Sequence, residues 1–220
     1  MKKIIFGIFA HPDDEAFGPS GTLLKLGDEG YDVHLILLTD GDAGVNIDNV
    51  PDLAGARIAE WHTSAKLLGA TTTHAFHYPD GALETASEAD LDEKVVKVIG
   101  DALNAYSEPI ELAFMTFEPN GLTGHRDHIT ASQLTTRMSK VFAADEIWYF
   151  CLDSTQAPLE GTAYYEPRAR EDSYITDRID VSSWLEGKHH IMDAHISQRH
   201  DAEAMKKLGL ETERFHIDKL

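Results

Sequence analysis

The chain has 220 residues, 42% of them hydrophobic and 26% charged, a balance that suits one folded domain with its own buried core. Its 19 basic and 38 acidic residues leave a net charge of -19, which repels phosphate backbones and anionic lipid head groups and argues against nucleic acid as a partner. The single cysteine, Cys151, cannot close an internal disulfide and no apolar run approaches the roughly 20 residues of a membrane span, so a cytoplasmic setting without a membrane span is expected.

The opening residues carry the charged head of a secretory signal, but the apolar run stops after seven residues at His-Pro-Asp-Asp-Glu, with no small-residue cleavage site. Ile4 to Ala10 therefore reads as a strand buried on both faces, and Ser20 to Gly30 as a helix closed by glycine. Next come a strand over Val33 to Leu38, a helix over Asp52 to Leu68 ended by Gly69, and a short strand over His74 to His77 before the turn Pro79-Asp80-Gly81. The alternation goes on with a helix over Leu91 to Tyr106, a strand over Leu112 to Phe117, a helix over Asp127 to Phe142 and a strand over Ile147 to Leu152, which would bury Cys151. Beyond it, Asp153 to Arg170 is an irregular excursion, Ile175 to Val181 is strand-like, and Trp184 to Leu208 is helical. Strands alternating with crossover helices predict an α/β fold: a single-domain, Rossmann-like, doubly wound and mostly parallel sheet flanked by helices, over residues 1–220.

Two segments carry chemistry. His11-Pro-Asp13-Asp14-Glu15 follows the first strand, at the carboxyl edge where an open parallel sheet forms its crevice. His11 and Asp14 offer an imidazole nitrogen and a carboxylate oxygen that a tight turn can bring together. Gly121-Leu-Thr-Gly-His125-Arg-Asp127-His128 follows another strand to the same edge, and its two histidines allow one to bind metal while the other faces substrate. Two histidines and one aspartate leave a coordination position for water, as in catalytic zinc sites, with Asp13 spare to take that water's proton. Asp127 can hydrogen-bond one histidine and keep it protonated.

On these motifs the sequence resembles the PIG-L/LmbE family of zinc-dependent N-deacetylases, and the likeness continues through Thr39-Asp-Gly-Asp-Ala-Gly44, Arg57, Glu60, Leu68-Gly69, Asp80-Gly81, Lys188 and His195-Ile-Ser-Gln198. The resemblance implies one Zn²⁺ per chain on His11, Asp14 and His128, Asp13 as general base, and His125 as an oxyanion-stabilising imidazolium backed by Asp127. It implies substrate contacts from Arg57, Asp80 and Asp42, the last in place of a more usual glutamate. Arg126 stands where proline is commonest, and Thr123 where some members carry an active-site tyrosine. The implied reaction is removal of an N-acetyl or other N-acyl group from an amino sugar or small glycoconjugate by zinc-bound water, in a homo-oligomer. The alternatives are a zinc- and sugar-binding protein without turnover and a zinc amidase acting on non-sugar amides. Gly18 and Gly21 lack the rest of a dinucleotide-binding fingerprint, and of the remaining histidines only His195 belongs to a family-like segment.

Overall fold

The computed structural model describes residues 1–156, 167–208 and 210–220. The elements run β1 (Lys2–Phe9), α1 (Asp14–Phe17), α2 (Ser20–Asp28), β2 (Tyr31–Thr39), α3 (Leu53–Leu68), β3 (Thr72–Tyr78), α4 (Glu88–Leu103), β4 (Ile110–Phe117), α5 (Gly121–Gly124), α6 (Arg126–Val141), β5 (Glu146–Cys151), β6 (Asp177–Asp180), α7 (Leu185–Asp193), α8 (Arg199–Met205) and β7 (Thr212–Lys219). The seven strands form one sheet in the order β3-β2-β1-β4-β5-β7-β6, parallel from β3 to β5. The chain winds outward from β1 to β3, returns to place β4 on the other side of β1, and so creates a switch point between the tips of β1 and β4.

The continuous apolar strands explain this layering. Successive side chains point to opposite faces, so Ile5 and Phe9 join Leu23, Trp61, Met115 and Ile191 in one core, while Ile4, Phe6 and Ile8 join Leu91, Val95, Leu134 and Met138 in the other. Helices α2, α3 and α7 cover the first face, and α4 and α6 the second, which is the doubly wound arrangement expected. Asp52 caps α3 by accepting from the Gly55 N–H at 3.0 Å, and Gly69 closes it with φ 78°, a left-handed turn that favours glycine.

The C-terminal third departs from the expectation. The continuous helix over Trp184 to Leu208 is broken between α7 and α8, where Ser197 turns its backbone N–H and its Oγ to the Glu60 carboxylate at 2.9 and 2.7 Å. Those bonds draw the backbone donor out of any helical ladder. The chain then forms β7, which pairs antiparallel with both β5 and β6 and which the sequence reading does not contain. Residues 157–166 of the expected excursion lie outside the described residues. Cys151 is buried at the end of β5, as expected.

One buried ion pair ties this region to the front of the molecule. Lys188 of α7 donates to the Gly18 carbonyl at 2.6 Å and to Glu213 of β7 at 2.5 Å, and Glu213 accepts the Gly21 and Thr22 N–H groups at 3.0 and 2.8 Å, capping the start of α2. Both side chains are almost wholly shielded, at 1% and 2% exposure. Removing one partner leaves the other charge uncompensated, so Lys188→Ala is expected to cost about 3–5 kcal/mol. The double variant Lys188→Met/Glu213→Gln should lose less than the sum of its two single variants, as measured by denaturant unfolding.

Candidate active site

The site begins in the turn that leaves β1. Asp14 Oδ2 accepts the backbone N–H groups of Ala10 and His11 at 3.1 and 2.7 Å, folding the chain back on itself. The residue between, Asp13, is held at φ 125°, in the half of conformational space that side chains disfavour. Arg57 braces it: Nη1 donates to Gly41 O, and Nη2 to Pro12 O and Asp13 Oδ2, all at 2.8 Å. Expected as a sugar contact, Arg57 reaches the cavity wall, but it is buried and its terminal nitrogens bond these protein partners.

The second loop leaves β4 under the control of Glu118, which is fully buried, accepts the Asn120 and Leu122 N–H groups at 2.9 Å each, and pairs with Arg170. Gly121, at φ 66°, then offers its carbonyl to His128 Nδ1 at 3.1 Å. This partner assigns the proton to Nδ1 and leaves the lone pair on Nε2. Phe117 stacks on the ring with centroids 4.3 Å apart, fixing its plane.

His11 is oriented from the opposite side. Its Nε2 is buried 2.9 Å from Asp80 Oδ1 and 3.4 Å from Asp127 Oδ2, although neither oxygen meets it along a hydrogen-bond axis. Two carboxylates beside Nε2 place the proton there and turn the Nδ1 lone pair inward. Nδ1 lies 3.0 Å from His128 Nε2 and 3.6 Å from Asp14 Oδ2, and His128 Nε2 lies 3.3 Å from Asp14 Oδ1. With His11 uncharged, its Nδ1, His128 Nε2 and the Asp14 carboxylate converge as electron-pair donors, whereas a second proton on His11 would lie between the two rings. A tetrahedral ion with ligands at about 2.0–2.1 Å sets its ligand atoms about 3.4 Å apart, so the donors suit zinc in type and each separation is near that spacing, although His11 faces Asp14 Oδ2 and His128 faces Oδ1. His125 also offers a nitrogen within 4.8 Å of His11 and His128, and Asp80 and Asp127 make a second group with His11; either set could hold a metal ion.

The charges agree with a cation at this point. Burial opposes a charge on His11, but Asp127, Asp80 and Asp14 outweigh it and push its pKa up to about 10. A proton on His11 or a metal ion between the rings would both answer the same carboxylates. Asp14 is subject to burial in the other direction, and the charges of His128 and His11 nevertheless hold it well below the usual carboxylate range. Burial pushes Asp13 up to about 6, with Asp14 adding to the rise and Arg57 resisting it.

His125 differs from expectation. It caps α6, and its Nδ1 accepts the Asp127 N–H at 3.2 Å, which places the proton of the neutral ring on Nε2. Burial, His11 and His128 together lower its pKa against the pull of Asp127 and Asp14. The Asp127 carboxylate accepts from Gly81 and Leu83 N–H at 2.7 and 3.1 Å and lies beside His11. These contacts lower the His125 pKa where the resemblance implies an imidazolium, and they set the Asp127 carboxylate beside His11. Asp80 likewise faces His11, and Asp42 is exposed, accepting the Asp80 N–H at 2.8 Å. Arg126 is exposed and paired with Glu84, and Thr123 lines the cavity.

Behind the turn, Glu15 accepts from Ser64 Oγ at 2.6 Å and stands 3.6 Å from His195 Nε2, all three side chains being buried. The sequence marks Glu15 and His195 by motif, whereas Ser64 and Glu118 carry no local pattern that identifies them.

The family model for PIG-L, described as GlcNAc-PI de-N-acetylase, matches residues 6–139. The 1D-myo-inositol 2-acetamido-2-deoxy-α-D-glucopyranoside deacetylase of Rhodococcus erythropolis is 28% identical over 238 residues, covering 89% of this chain and 81% of its own. Among solved structures, GalB, the 4-carboxy-2-hydroxymuconate hydratase of Pseudomonas putida KT2440, superposes with a TM-score of 0.71 at 16% identity over 99% of this chain and 96% of its own. N,N'-diacetylchitobiose deacetylase from Pyrococcus horikoshii does so with a TM-score of 0.68 at 20% identity, over 99% and 84%. At those identities the two structures speak to the fold alone, and a hydratase and a deacetylase share it.

A Cβ on Gly121 would lie 2.8 Å from His128 Cβ and 3.0 Å from the Ile129 nitrogen, and its backbone would be strained at the observed φ. Gly121→Ala is therefore expected to displace His128 and weaken divalent-metal binding by about 10- to 100-fold, the range found when groups that orient ligands are disturbed. Chelator competition measures this, with far-UV circular dichroism as the check that the fold persists.

Proposed function

The chain belongs to the PIG-L family of GlcNAc-PI de-N-acetylases, and from that membership we propose that it is a zinc-dependent hydrolase removing an N-acetyl or other N-acyl group from an amino sugar or small glycoconjugate. The observation that carries this reading is the convergence of His11 Nδ1, Asp14 and His128 Nε2 at 3.0–3.6 Å beside a spare carboxylate, Asp13. These three residues would hold one zinc ion, the Asp14 carboxylate supplying a negative charge that a third imidazole lacks, while His125 also stands within ligand reach of the two histidines. Bound there, the ion supplies Lewis acidity, polarising the acyl oxygen and making a water acidic near neutrality.

Asp13, with a pKa near 6, is ionised at neutral pH and basic enough to take the proton of the attacking water and return it to the departing amine. Arg57 keeps that carboxylate from rotating away. His125 supplies an Nε2–H donor to the oxygen that gains negative charge, and as a neutral donor it needs no proton uptake to act. Asp80 and Asp127 hold the His11 tautomer that presents Nδ1 to the ion. No helix among the described residues is long and apolar enough to cross a membrane, and the lone buried thiol supports a cytoplasmic site of action.

A panel of N-acetyl sugars, acylated glycoconjugates and acyl amino acids, read by release of free amine from the zinc-loaded protein, tests the reading. Release from sugars supports it, release from acyl amino acids alone moves the substrate class, and binding without release sinks the hydrolase. Alanine at His11, Asp14 or His128 should abolish bound zinc by elemental analysis. Zinc retained in His128→Ala but lost in His125→Ala would reverse the two roles.

Asp13→Asn should keep the metal and lose roughly 10²- to 10⁴-fold in kcat. Because the reaction uses ionised Asp13, kcat/KM should fall as pH drops through the region of 6. Arg57 lowers the pKa of Asp13, so Arg57→Met should move this acidic limb to higher pH. A limb unmoved in a metal-replete Arg57→Met enzyme assigns it to another group.

A further inference from the structure

The cavity that contains the donor cluster has two chemically different walls, and the strand order sets them on opposite sides of the β1 tip. Toward β2 and β3 stand Asp13, Asp80 and Arg57. Toward β4 and β5 stand Phe117 at the end of β4, Phe150 near the end of β5 and Leu152 just past it, and Phe17 of α1 and Ala204 and Met205 of α8 also line the cavity. Two further polar residues that line the cavity are engaged with protein groups: Gln198 donates to the Val45 and Ser197 carbonyls at 3.3 and 3.0 Å, and Asp201 pairs with His200 at 3.2 Å.

A sugar ring presents hydroxyl groups that lose hydrogen bonds when placed against carbon, while an aliphatic chain gains from leaving water. Amide hydrolysis puts the acyl carbon beside the donor cluster, so the amine and acyl halves of the substrate extend away from it in different directions. The acidic wall suits the hydroxylated amine half. The aromatic and aliphatic wall suits a hydrocarbon longer than a methyl group.

We infer that this apolar wall is an acyl-chain subsite, and that the substrate is an amino sugar whose N-acyl group is an aliphatic chain longer than acetyl. The inference rests on the hydrolase reading above and specifies its substrate. In the reaction, water oxygen bonds to the acyl carbon, the carbon–nitrogen bond breaks, and the proton taken by Asp13 goes to the nitrogen. The acid's remaining proton passes to the amine, so the products are an aliphatic carboxylate and the amino sugar as its ammonium ion.

The test uses two matched series on the zinc-loaded enzyme. N-acetyl-, N-butanoyl-, N-hexanoyl- and N-octanoylglucosamine report kcat/KM, and the corresponding N-alkylglucosamines, which have no carbonyl to hydrolyse, report affinity by calorimetry. Each methylene that enters the subsite should raise kcat/KM and tighten Kd by about threefold until the cavity is filled. Ala204→Phe should lower the hexanoyl-to-acetyl ratio of kcat/KM tenfold or more.

If affinity rises with chain length but no amide is hydrolysed, the subsite stands and the hydrolase reading falls. If N-acetylglucosamine is hydrolysed while affinity and kcat/KM are flat or fall with chain length, the hydrolase stands and the acyl subsite is overturned. A gain with chain length only in 1-O-alkyl N-acetylglucosaminides would also overturn it, because the hydrocarbon would then enter from the sugar's other end.

Discussion

The bond between the Asp14 carboxylate and the backbone of its own turn is the contact on which the rest of the site depends. One oxygen accepts two N–H groups, from Ala10 and His11, and by doing so fixes the other, which faces His128. The side chain that closes the turn is therefore the one that joins the donor cluster, so the local fold and the site cannot vary independently. The closure puts Asp13 at φ 125°, a conformation costing of order 1–3 kcal/mol. Arg57 offsets this through its three bonds to Pro12, Gly41 and Asp13, and burial protects those bonds from water.

The partner residues arrive from a distant part of the sequence because parallel pairing sets β4 beside β1. His11 and His128 are 117 positions apart, yet their ring nitrogens are 3.0 Å apart. A sheet is stiff enough to hold that separation only if the loop leaving β4 is itself fixed. Glu118 does this by taking two loop N–H groups, and Gly121 by allowing the chain to pass where no side chain fits. The switch point thus supplies the place, and two buried acids, Asp14 and Glu118, supply the shape.

The sequence revealed the parts of this arrangement that are encoded locally. Strands β1 to β5 and the helices between them are legible because they are apolar runs or amphipathic repeats bounded by caps, and both histidine motifs are legible because their residues are close in sequence. The strand β7 was missed: its residues alternate between buried and partly exposed, and its partners are β5 and β6, so its pairing energy is wholly non-local. The same cause hid the break in the last helical segment, since the Glu60 carboxylate that captures Ser197 is 137 positions away. Arg57 and Asp80 are substrate contacts by the family resemblance, and the fold adds that both also bond or face groups of the protein while lining the cavity.

His125 shows how the local backbone decides a chemical property that residue type leaves open. An imidazole beside an aspartate in sequence suggests an ion pair, and hence a protonated ring. Here the neighbouring residue offers its backbone N–H to the ring and its carboxylate to His11, so the adjacency works in the opposite sense. The N-terminus of α6 adds a positive partial charge at the same point, which disfavours a second proton. A metal ion on the neighbouring nitrogens would repel that proton further. Burial, His11, His128 and the helix N-terminus favour a neutral ring against the pull of Asp127 and Asp14. In the proposed hydrolysis the alkaline limb of the pH profile is therefore assigned to a group other than His125, and the acidic limb to Asp13.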